Sequence, residues 1–66
     1  MAADPSSDAA VLSAVITSLD DLTNRVTEVA ERRAASDDEA IGGDLFEVER
    51  TLRTATRRLE RLVDQL

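Results

Sequence analysis

The chain has no cysteine, histidine, tryptophan or tyrosine, and all eight of its basic residues are arginine. Without cysteine there is no disulfide framework, and without cysteine and histidine the common zinc sites are excluded. Most catalytic instruments are missing too. Serine and threonine hydroxyls are present, but there is no histidine or lysine base to activate them. The composition therefore predicts no enzyme activity, no catalytic residues, no metal and no cofactor. No stretch approaches the roughly 20 apolar residues of a membrane span, and no membrane association is expected. Residues 1–8 lack both a basic segment and an apolar segment, so they do not read as a secretory signal. With no cysteine as well, these features predict a cytoplasmic protein. Arginine without lysine, together with abundant alanine, fits a GC-rich bacterial genome.

Helix breakers are also scarce: one proline, Pro5, and two glycines, Gly42 and Gly43. Two apolar seams occupy the breaker-poor stretches. The first runs Leu12, Val15, Leu19, Leu22, Val26, Val29; the second runs Leu45, Val48, Leu52, Ala55, Leu59, Leu62, Leu66. Each steps alternately by three and four residues, the period of a helix packed along one stripe. The fold class predicted is all-α: a coiled-coil-like antiparallel two-helix hairpin forming a single domain over residues 1–66. Residues 1–4 are expected to be disordered. Helix 1 is expected over about 5–34, with Asp4 capping and Pro5 at the first helical position.

Two helix starts compete after the turn, which is expected over about 35–43. Ser36-Asp37-Asp38-Glu39 forms one capping box, and Asp44-Leu45-Phe46-Glu47 offers another. Two glycines inside a helix cost about 2 kcal/mol relative to alanine, which favours a start at Asp44. Ile41 lies four residues before Leu45, in step with the seam, and favours a start near Asp37. The early start is preferred, with helix 2 continuing to residue 66. The acids at 37–39 are read as helix-start residues and not as a cation site, because they lack the spacing of a calcium loop.

Antiparallel pairing about a turn centred near Asp37 sets Val29 against Leu45, Leu22 against Leu52 and Leu12 against Leu62. This register buries one more layer than a shift by one heptad, which would set Arg33 against Val48 and strand Leu12, and it buries no charge. It leaves a second, smaller apolar flank: Ala9, Ile16, Thr23 and Ala30 opposite Val63, Thr56, Glu49 and Gly42, with Phe46 nearby. Small residues admit close approach by another helix. Ile16, Thr23, Ala30, Phe46, Thr56 and Val63 are therefore predicted to form a protein interface, most simply with a second copy, giving a homodimeric four-helix bundle. Phe46, the only aromatic residue, would be its anchor.

The net charge of −6 argues against general nucleic-acid affinity. Yet Arg50, Arg53, Arg57 and Arg61 recur at helical spacing and form a basic strip that could bind a partner. The function expected is a non-catalytic protein–protein interaction module, a small adaptor or regulator of a larger protein. The alternative is an RNA- or DNA-binding regulator using the strip. That alternative ranks lower, because the strip has no aromatic residues on which bases could stack.

Overall fold

A computed structural model describes residues 5–66, without the side chains of Pro5 and Ser6. The expectations for residues 1–4, including Asp4 as a cap, lie outside the described residues. Helix α1 spans Pro5–Ala34 and helix α2 spans Glu39–Val63. They pack against each other along their length as a rod measuring 53 × 17 × 14 Å, and no strand occurs among the described residues.

The turn is short because its own polar groups close it. The Ser36 hydroxyl donates to the Arg33 carbonyl at 2.8 Å and accepts from the Asp38 N–H at 3.3 Å. Arg33 and Asp38 pair across the turn at 2.9 Å, with both side chains about half exposed, so the pair contributes less than about 1 kcal/mol. Ser36 thus shapes the turn and does not cap α2. The capping residue is Asp38, whose side chain makes no capping hydrogen bond. The start at Asp44 is not used. Residues 39–43, assigned in part to the turn from sequence, are helical, and α2 ends at Val63 rather than Leu66.

Gly42 and Gly43 therefore lie inside α2, and they differ. A Cβ on Gly42 would stand 2.7 Å from the Ala34 nitrogen and 2.9 Å from its Cα. Only glycine lets the two backbones come this close. A Cβ on Gly43 would meet nothing within 4 Å. Gly43→Ala should therefore stabilise the hairpin by about 1 kcal/mol through helix propensity alone. A raised midpoint in urea unfolding checks this, and an unchanged or lowered midpoint counts against the continuous helix.

The pairing keeps its centre near Asp37. Gly42 sits against Ala30 and Ala34, Glu49 meets Thr27, and Arg53 meets Asn24. The side of each helix that faces inward differs from expectation. Ala30 is the buried apolar side chain of the described residues, accompanied by buried Thr23 and Thr56 and by Gly42. The helices meet along the small-residue flank. The leucine seams have turned to one side.

Candidate protein-interaction surface

This rotation has a steric cause. Helices separated by leucines lie about 8–10 Å apart. Glycine, alanine and threonine allow closer contact, and dispersion attraction grows as the gaps close. The flank Thr23, Ala30, Gly42, Thr56 therefore becomes the hairpin's own contact line. The flank proposed above for a second copy is not free: Thr23, Ala30 and Thr56 are buried between the two helices, and Ile16, Phe46 and Val63 are half-buried beside them.

The displaced seams form the candidate site. At about 100° per residue, Val15 and Leu22 lie to one side of the Thr23–Ala30 line. Val48, Ala55 and Leu62 lie to the corresponding side of the Gly42–Thr56 line. Because the helices run antiparallel, these two sides point the same way. One broad face thus collects the large apolar residues. On α1, Val11 and Leu22 expose 61% and 49% of their surface; on α2, Val48 and Leu62 expose 47% and 52%. The exposure of Leu22, Val48 and Leu62 contradicts the expected burial of the whole seam. Leu12, Leu19, Leu45, Leu52 and Leu59 form the half-buried floor of this face. Along α1 the floor and its edge make a shallow apolar groove lined by Val11, Ala14, Val15, Ser18, Leu19 and Leu22.

The opposite face is polar and crosses between the helices. The Glu49 carboxylate accepts from the Thr27 hydroxyl and lies 3.7 Å from the Arg53 guanidinium. Arg53 in turn donates to the Asn24 side chain at 3.3 Å. The Thr27 hydroxyl also lies 3.1 Å from the Thr23 carbonyl, and its single proton can serve only one of these two acceptors. Glu49, the one charged residue of the small flank, is partnered by this cluster at the edge of the contact. Beside it, the buried Thr23 hydroxyl has no partner. Asn24 and Thr27 carry no signal in the hydrophobic pattern, so pattern reading missed this cluster.

The arginine strip is not uniform. Arg50 pairs with Glu47 at 3.2 Å, and Arg53 belongs to the cluster just described. Arg57 donates to the Thr54 hydroxyl at 3.4 Å. Among the described residues no ion pair involves Arg57, Arg58 or Arg61. The basic surface available to a partner therefore lies towards the end of α2. No helix among the described residues is long and apolar enough to cross a membrane. Comparison with protein-family models, curated proteins and solved structures found no match for this chain.

Proposed function

We propose that the chain is a non-catalytic protein–protein interaction module that works as a homodimeric four-helix bundle, a small adaptor or regulator acting through helix packing. One observation carries this reading. Val11, Val15, Leu22, Val48 and Leu62 are exposed on one broad face above leucines that are only half-buried, while the fully buried part of the hairpin's own contact is threonine, alanine and glycine. A chain of this length seldom holds a firm fold on such a contact alone. Covering the leucine face supplies the missing burial, at about 25 cal/mol per Å² of apolar surface removed from water. The polar opposite face, with the free arginines at its end, would remain outside for the larger protein partner.

Association makes stability depend on concentration. The melting temperature measured by circular dichroism should rise as the chain is concentrated across the micromolar range. A midpoint independent of concentration would sink the proposal. The alternative, nucleic-acid binding, is tested in the same buffer by titrating labelled RNA and duplex DNA at low salt. Binding that weakens steeply with salt and is lost in Arg57→Glu/Arg61→Glu would favour it. Arg53 is unsuitable for this test because its reversal would break the cluster with Glu49 and Asn24.

A further inference from the structure

We infer how the two copies are arranged: face to face and antiparallel, with their turns at opposite ends of the bundle. This rests on the homodimer proposed above and deepens it. The rod is 53 Å long and 17 Å across, so its broad side projects roughly 900 Å², of the same order as the roughly 800 Å² that each partner of a stable interface buries. A second copy presents a face of the same length, the same apolar seam and the same shape. A two-fold axis brings two such faces together.

Two two-fold arrangements cover the face equally well. In one, the turns lie at the same end and α1 neighbours α2 of the copy. In the other, the turns lie at opposite ends, α1 neighbours α1 and α2 neighbours α2. Apolar burial does not separate them, because both cover the same seam. Charge does. Residues 24–50, the half nearest the turn, hold eight acids against four arginines, a net charge of −4; residues 5–23 and 51–66 hold five acids against four arginines, a net of −1. The same-end arrangement stacks two strongly acidic ends. The opposite-end arrangement sets each acidic turn beside the other copy's nearly neutral half, where Arg58 lies at the rim of the face, and like charges at the wrong pairing are what fix orientation.

The rim of the face makes the inference specific. Asp44, Thr51 and Arg58 follow at intervals of seven residues along the outer edge of the face on α2. When α2 pairs antiparallel with its copy about Thr51, Asp44 of each chain meets Arg58 of the other. In the same-end arrangement Asp44 meets Arg32 instead. Each arrangement gives Asp44 an arginine, so this pair does not choose between them, but it shows which one is present.

The chain has no cysteine, so a single Asp37→Cys in the exposed turn accepts one nitroxide label per copy. Double electron–electron resonance should give a label separation comparable to the 53 Å length of the rod. A separation of a few helix spacings, each about 10 Å, places the turns together and overturns the inference while leaving the dimer intact. A monomeric mass with no intermolecular distance overturns both. Charge exchange gives a second reading. Asp44→Arg should weaken the dimer about tenfold, from two mispaired rim sites, and Arg58→Asp in the same chain should restore it. Rescue by Arg32→Asp in place of Arg58→Asp would assign the same-end arrangement.

Discussion

Leu22→Asp should convert the proposed dimer to a monomer and strip most of its helix content at micromolar concentration. Leu22 sits mid-way along α1, half exposed on the broad face. In a lone hairpin an aspartate there would stay in water and cost little. In a face-to-face dimer it buries two unpaired carboxylates, one per copy, at several kcal/mol each. The dimer should therefore weaken by more than about 100-fold, equivalent to about 2.7 kcal/mol. Leu22→Ala gives the milder version, about 2–5 kcal/mol if the side chain is covered. Sedimentation and far-ultraviolet circular dichroism on the same samples read both effects. Glu28→Ala, at an exposed position away from the face, is the matched control and should leave mass and helix content unchanged. If Leu22→Asp retains the native melting curve, the face is uncovered.

Gly42→Leu separates the helices at the turn. A Cβ there would lie under 3 Å from backbone atoms of Ala34, and a backbone cannot rotate aside as a flexible side chain can. The helices must move apart, which opens the contact at Ala30 and tilts the leucine face. Overpacking of this kind costs about 1–3 kcal/mol, a large share of the stability of so small a chain. Even Gly42→Ala should destabilise, although alanine is the better helix former by about 1 kcal/mol. Set beside the stabilising Gly43→Ala, the opposite signs at neighbouring residues isolate interhelical contact from helix propensity. Denaturation midpoints of the two alanine variants decide it. Equal shifts would mean that Gly42 is not at a close contact.

The two helices and their antiparallel pairing were legible because the three-four spacing and the scarcity of breakers both point to long helices. The turn was legible only in part: Ile41 continues the seam through the glycines and favours the early start, while the glycine pair leaves a start at Asp44 open, and residues 39–43 are helical. The inward face was not. Hydrophobicity alone places the leucine seams at the centre, whereas the observed contact is decided by size. One signal was available. Adding Ala9, Ile16, Thr23 and Ala30 to the seam gives α1 three apolar or small positions in every seven. That is the stripe of a bundle helix, wider than the two-in-seven seam of a coiled coil. With three positions, one edge faces the helix of the same chain and the remainder faces elsewhere. The small edge, which the pattern offers as an interface with a second copy, is buried within the hairpin at Thr23, Ala30 and Thr56. Phe46 misled for the same reason. As the only aromatic residue it drew the role of anchor, yet it lies half-buried beside the contact, one turn from Gly42 and Glu49 and away from the leucine face. The Asn24–Arg53–Glu49–Thr27 cluster was beyond reach of periodicity, because polar side chains join across helices only once the register and rotation are known.

In the proposed dimer the leucine face is covered by a second copy of this chain. Sedimentation equilibrium on the unmodified protein tests it most directly, because it reads mass without assumption about shape. A species of twice the 7.2 kDa chain mass is expected across the micromolar range, dissociating only on dilution and together with loss of helix. A helical species that stays at the single-chain mass throughout that range would contradict it.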